Sequence, residues 1–212
     1  MRTSRLEAFS DGVLAIILTV MVLGLDIPEE HDLRSFLHAT GHDLVTYLLS
    51  FLYISIYWIG HHHMFRLVRR IGRGVLWANL ALLFTLSLLP FTTEWMADSE
   101  LARTPLFIYG LNLTLSAATY FVLQTLVIRQ DGAESALKRA IGRNVKGKIS
   151  PVLYLAGMLI SVFVDPDGRV GAWLALVCYG AVAIMWIVPD RRIDRFIRET
   201  EGLEESARPA ER

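Results

Sequence analysis

The chain has a single cysteine, Cys178, in 212 residues. That excludes an internal disulfide framework and a cysteine-rich metal site. It has no excess of either charge: 21 Lys+Arg balance 21 Asp+Glu, for a formal net charge of +0. Phosphate backbones reward a basic excess, so no nucleic-acid partner is expected. Charged residues are scarce, at 20%, while hydrophobic ones reach 53%. A disordered chain has the opposite balance. Soluble domains average roughly 45–50% apolar and ~25% charged. This composition, with a mean hydropathy of +0.42, leans towards the membrane. The sequence also lacks low-complexity tracts, a repeated half, a glycine-rich phosphate loop, a nucleophile–base pair and paired carboxylates within a span. No enzyme is expected.

What is present is a series of apolar stretches. A bilayer core of ~30 Å takes roughly 20 mostly apolar residues per helix. Six stretches qualify, at about 5–25, 43–63, 74–95, 104–128, 149–165 and 169–189. The expected fold is all-α: a polytopic six-helix membrane domain over 1–189, followed by a charged cytoplasmic tail over 190–212. The first span stops at Asp26-Ile27-Pro28, since proline cannot continue a helix. It does not read as a secretory signal, because Ser10-Asp11 interrupts it and no small-residue cleavage site follows. The acidic stretch 26–41 has room for a brief surface turn, and the basic stretch 129–148 for an interfacial helix. Pro90 is placed to kink the third span.

Orientation follows the basic residues. If there are six spans, 18 of the 21 fall on one side, and only Arg34, Arg103 and Arg169 on the other. Both termini are therefore expected in the cytoplasm. Trp58, Trp77, Trp95, Trp173 and Trp186 sit near span ends, as interface anchors do. Ser50, Ser55, Thr85, Ser87, Asn112, Thr114, Ser116 and Thr119 read as interhelical contacts, with Gly110, Ser116, Ala117 and Ala118 as close-packing points.

Ionisable groups inside hydrocarbon are costly and therefore mark candidate sites. Asp11 is the clearest. Its plainest explanation is a carboxylate near the positive end of a helix dipole, with Arg5 snorkelling to the headgroups. The surrounding pattern points further. Arg5-x-x-x-Phe9-Ser10-Asp11-Gly12, followed by the apolar run Val13–Leu23, resembles the signature first helix of the transmembrane protein 175 family of potassium channels. Trp58 with His61, His62 and Phe65 resembles the end of that family's second helix. Asn79 with Phe84, Pro90 and Phe91 resembles its third. The likeness is strong over residues 5–28, looser to about 95, and topological beyond.

The resemblance implies six spans per subunit and a homotetramer in which the first helices line a central pore for K+, with no cofactor and no carbonyl selectivity filter. It implies a hydrophobic constriction at Ile16, a selectivity role for Thr19, and a further apolar ring at Leu23. It implies that Arg5, Phe9, Ser10, Asp11, Trp58, His61, His62 and Asn79 support the pore helix. A weakly selective path is expected, and proton passage is an open alternative, because narrow hydrated pores can conduct protons. A single six-span unit without a targeting signal implies a prokaryotic plasma membrane, since animal members carry two such units. Ile16, Thr19 and Leu23 do fall at helical spacing i, i+3, i+7. Every face of this helix is apolar, however, so periodicity does not choose the pore face. A lone threonine in a span also commonly bonds its own i−4 carbonyl, here that of Ala15.

His61, His62 and His63 raise the alternative of a membrane metal protein. Consecutive helical residues point about 100° apart, so the three cannot converge on one ion. No Cys, Asp or Glu nearby completes a ligand set. A hydrogen-bond network among the ends of helices one to three is the better reading, because a carboxylate inside a membrane needs partners. A secondary transporter is the other alternative, but it predicts inverted repeats or broken mid-membrane helices, which the sequence does not display.

Overall fold

Among the described residues, six helical segments are long and apolar enough to cross a bilayer: Thr3–Gly24, Asp43–Arg66, Arg73–Asp98, Arg103–Asp131, Lys146–Phe163 and Val170–Ile187. The computed structural model describes residues 3–25, 27–28, 31–68, 71–132, 135–141, 145–165 and 169–187. The expected tail over 190–212 and the last two residues of the sixth span, 188 and 189, lie outside the described residues.

The first span is α1 (Thr3–Met21), closed by a 3-10 turn at Val22–Gly24. A short helix, α2 (Leu33–Ala39), follows in the acidic connection. Asp32 caps it by accepting a 2.7 Å hydrogen bond from the Ser35 backbone N–H. That donor holds the Asp32 carboxyl below its ordinary pKa. The second span is α3 (Gly41–Arg66).

The third span is interrupted at a single residue, Leu88, whose backbone stays helical, two residues before the proline expected to kink it. α4 (Arg73–Ser87) ends at Leu88, and α5 (Leu89–Asp98) starts there with Pro90 in its first turn. Proline lacks an N–H, so it fits a helix start, where that donor would be orphaned anyway. The fourth span, α6 (Arg103–Asp131), is unbroken. Among its described residues, the basic connection holds a six-residue helix, α7 (Ala136–Ile141). α8 (Val145–Phe163) and α9 (Val170–Ile187) complete the bundle.

α1 packs on one side against α3, α4 and α5. α6 is the inner scaffold helix, in contact with α4, α5, α8 and α9, and α8 and α9 pack along each other. The core is dominated by Leu82, Leu86, Leu89, Leu106 and Leu113 and by buried tyrosines. Tyr53, Tyr109, Tyr154 and Tyr179 form one ring cluster, with centroids 5.9–6.4 Å apart where they pair. Burying a phenol requires a partner for its hydroxyl. Tyr53 donates to the Tyr179 backbone carbonyl at 2.6 Å, and Tyr109 and Ser50 share a 3.0 Å bond. Gly110 and Gly157 make room for the Tyr179 ring, because a Cβ at either would collide with it.

The outward faces are apolar on every span. Leu23, Trp77, Phe84, Phe91, Phe121 and Phe163 are all at least 60% exposed. A water-soluble monomer rarely shows so much contiguous apolar surface, so lipid or further copies of the chain must cover it.

Among the described residues, Ser116 Oγ and Asn112 Oδ1 are buried without a hydrogen-bond partner, so Ser116 does not make the interhelical bond expected of it, and most of the other polar residues of the spans divide into two groups. Ser50 bonds Thr93, Asn112 bonds Thr92, and Thr85 bonds Thr119, each between helices. Ser55, Ser87 and Thr114 instead donate to carbonyls of their own helices. Helical Ser and Thr have that acceptor always within reach, so sequence position alone did not separate the two uses. Trp58 and Trp186 also do more than anchor at an interface, since each donates to a side chain on another helix.

Candidate pore helix and its anchor

α1 has two unlike sides. Leu6, Ser10, Leu14, Ile17 and Met21 are buried, and they recur at the 3.6-residue period of one helical face. Phe9, Gly12, Ile16 and Thr19 face the other way and are exposed, with Ile16 at 63%. Among the described residues, the bundle therefore holds α1 from one side and leaves the face bearing Ile16 and Thr19 uncovered. Leu23 continues that exposed side at 80%, but within the 3-10 turn. The i, i+7 spacing from Ile16 to Leu23 is thus not that of one continuous α-helix.

The held side is fastened by polar bonds as well as by packing. His61 on α3 donates from Nε2 to Asn79 Oδ1 on α4 at 2.8 Å. Asn79 Nδ2 donates to Ser10 Oγ on α1 at 3.0 Å. All three side chains are at most 2% exposed, so one asparagine ties three spans together inside the bundle. Interhelical hydrogen bonds in membranes average roughly 0.6 kcal/mol and reach ~1.7. Removing the middle member also strands two buried groups, at ~1–3 kcal/mol each. Phe65 covers the His61 ring at a centroid distance of 4.4 Å.

A second tie lies beside the first. Trp58 Nε1 on α3 donates to Asp11 Oδ1 at 2.9 Å. α1 begins at Thr3, so Asp11 lies ~12 Å along the helix at 1.5 Å per residue. The helix-dipole effect fades within the first turn. Trp58, rather than the dipole, is therefore what steadies this carboxylate.

The structure thus brings Ser10, Asn79 and His61 into one chain of bonds, and Asp11 and Trp58 into another. His62 is exposed and stacks on Trp58, with centroids 6.0 Å apart, outside both sets of bonds. Arg5 and Phe9 are exposed on α1 and join neither chain. Among the described residues no three His, Cys, Asp or Glu side chains come together as a metal site would require.

Thr19 makes the local bond its residue type suggests. Its hydroxyl donates to the carbonyls of Ile16 and Ala15, at 2.9 and 3.1 Å. This does not remove it from chemistry on the open face. A hydroxyl has one proton and two acceptor lone pairs. With the proton committed to the backbone, only acceptor character remains towards the open side, and that is the character a cation needs.

Among the described residues the chain is thus a six-span helical membrane protein whose first helix is gripped from one side and bare on the other. Residues 5–90 match the family model described as endosomal/lysosomal potassium channel TMEM175. A potassium channel of Chryseobacterium sp. (strain P1-3) is 43% identical over 199 residues, which cover 94% of this chain and 100% of that one. The crystal structure of a lysosomal potassium-selective channel TMEM175 homolog from Chamaesiphon minutus superposes with a TM-score of 0.72 at 26% identity, covering 89% of this chain and 97% of that chain. The human endosomal/lysosomal proton channel TMEM175 is 27% identical over 183 residues, which are 77% of this chain but only 35% of the human one. The chain belongs to the TMEM175 family, a family of ion channels and not of enzymes.

Proposed function

We propose that this protein is a potassium-conducting cation channel in which four copies surround a pore lined by the open face of α1. The observation that carries the reading is the two-sidedness of α1: Ile17 is buried against the scaffold at 4% exposure, while Ile16 beside it is 63% exposed. Full membrane-spanning helices that keep such a face bare need something to cover it, and three more copies around a four-fold axis do so. Ile16 then forms a narrow apolar ring, Thr19 a ring of hydroxyl oxygens, and Leu23 a second apolar ring. Apolar rings close a narrow pore to ions by dewetting it, and acceptor oxygens replace part of an ion's hydration shell.

The Ser10–Asn79–His61 and Asp11–Trp58 bonds serve as the anchor that keeps each pore helix in register with its scaffold. Arg5, Phe9 and His62 take places around that anchor without bonding to it. The relatives named as potassium channels support K+ as the permeant ion, and the human relative named as a proton channel supports proton passage through the same rings. The charge asymmetry of the loops supports cytoplasmic termini in a prokaryotic plasma membrane.

Potassium flux into liposomes containing the purified protein tests the reading. Channel conduction appears as flux driven by the K+ gradient alone, without saturation at millimolar concentrations. Saturating uptake that requires a counter-ion would contradict it.

A further inference from the structure

A different face of α3 from the one carrying Trp58 and His61 borders a cavity of about 560 Å3 between α3, α6 and α8. That volume lies inside the ~300–1,000 Å3 range of sites that hold small molecules. Its walls are mainly rings and small side chains: Tyr53, Tyr57, Tyr120 and Tyr154, with Ala117 and Ala118. The opening runs between α6 and α8, where the lining residues Ala118, Phe121, Lys148 and Pro151 are exposed. Both helices are long and apolar enough to span a membrane, and this opening lies on the side of the bundle away from α1, which puts it towards lipid rather than towards the copies grouped around α1 in the proposed tetramer.

The cavity is not purely apolar. Tyr57 is only 9% exposed, and its hydroxyl has no hydrogen-bond partner among the described residues. The Tyr120 hydroxyl lies against Gly60, which offers it no side chain. Lys148, in the first turns of α8, stands exposed at the rim with no ion pair among the described residues. One turn before Pro151 at the rim, Lys146 packs over the Trp186 ring at 5.9 Å, and Lys138 and Arg139 on α7 add charge to the same connection. An apolar slot open to lipid, with uncommitted hydroxyls inside and an unpaired cation at its end, matches one kind of molecule: an acyl chain carrying an anionic headgroup.

We propose that this cavity binds an anionic phospholipid of the surrounding leaflet. Its phosphate pairs with Lys148, and one acyl chain enters between α6 and α8 to lie on the tyrosine rings. Phospholipid is the abundant amphiphile at a bilayer-facing opening, and a basic membrane face concentrates the anionic kind. The bound chain braces residues 53–60 of α3, the segment that carries Trp58 and leads into His61. The lipid therefore supports the anchor of α1 from behind without touching the pore.

Native mass spectrometry of the purified protein with added phosphatidylglycerol or phosphatidylcholine tests this, alongside the shift in Tm that each lipid produces. The wild type should retain phosphatidylglycerol in preference to phosphatidylcholine and gain Tm from it. Lys148→Gln, a surface substitution, should lose that preference severalfold while its lipid-free Tm stays unchanged. Ala118→Phe, which fills the slot, should lose both lipids. Equal retention of both headgroups by the wild type, undiminished phosphatidylglycerol binding by Lys148→Gln, or a bound species with the mass of a free fatty acid would each overturn the proposal.

Discussion

Ile16 and Ile17 are neighbours in sequence and face opposite ways in the fold. Ile17 lies in the core at 4% exposure, while Ile16 is 63% exposed on a face that no helix among the described residues covers. The two are chemically identical, so a difference between their mutants isolates the side of α1 each one faces.

Asp11 accepts a hydrogen bond from Trp58 at 2.9 Å. Bonds to a charged group contribute ~1.5–3 kcal/mol, about twice those between neutral groups. Asp11→Asn keeps an acceptor and should lower tetramer yield moderately, as judged by size-exclusion chromatography. Asp11→Ala should lower it further, and neither should shift ion selectivity as much. Intact tetramers with altered permeation would instead place Asp11 in the conduction path.

Asn79 links Ser10 to His61 through two side-chain hydrogen bonds. Asn79→Ala strands both buried partners, at ~1–3 kcal/mol each. Its Tm should fall well below that of the wild type. Ser10→Ala leaves one amide proton of Asn79 without its acceptor and should cost less. A double-mutant cycle between residues 10 and 79, read from thermal unfolding in detergent, should show coupling, whereas additive losses would break the link.

Thr19 turns acceptor lone pairs to the open face because its proton is committed to the backbone. Thr19→Ser keeps that arrangement and should keep the K+/Na+ preference. Thr19→Val keeps the shape and removes the oxygen, so the preference should diminish. Reversal potentials under bi-ionic conditions measure both, and an unchanged preference in Thr19→Val would remove Thr19 from selectivity.

Tyr179 fits because Gly110 and Gly157 have no Cβ. Gly110→Ala and Gly157→Ala overpack that site, at ~1–3 kcal/mol each. Both should lower Tm without altering the selectivity of the protein that remains assembled.

Six spans were legible in the sequence because a bilayer sets a length, and apolar runs of that length are hard to mistake. The break at Leu88 was less so. Pro90 marked the neighbourhood, but the interruption falls two residues earlier, at Leu88, where no residue type announces it. The anchor showed the same limit. Asp11, Ser10, Trp58, His61 and Asn79 stood out as polar groups in apolar surroundings, yet their pairing depends on how α1, α3 and α4 rotate against each other. In an α1 apolar on every face, periodicity had no contrast to work with, and only packing separated Ile16 from Ile17. The cavity at Tyr57 and Lys148 left no sequence signal, because its walls are ordinary core residues and its volume comes from how three helices diverge.

The most direct test is potassium flux through liposomes holding Ile16→Ala or Ile17→Ala at matched protein content. Removing the Ile16 side chain widens the proposed constriction, so flux should rise and Na+ should be admitted more readily. Ile17→Ala should lower Tm, as a buried isoleucine lost from a core costs ~2–5 kcal/mol, while leaving the selectivity of surviving channels unchanged. Unaltered flux in Ile16→Ala together with altered selectivity in Ile17→Ala would contradict the assignment of the pore to the open face of α1.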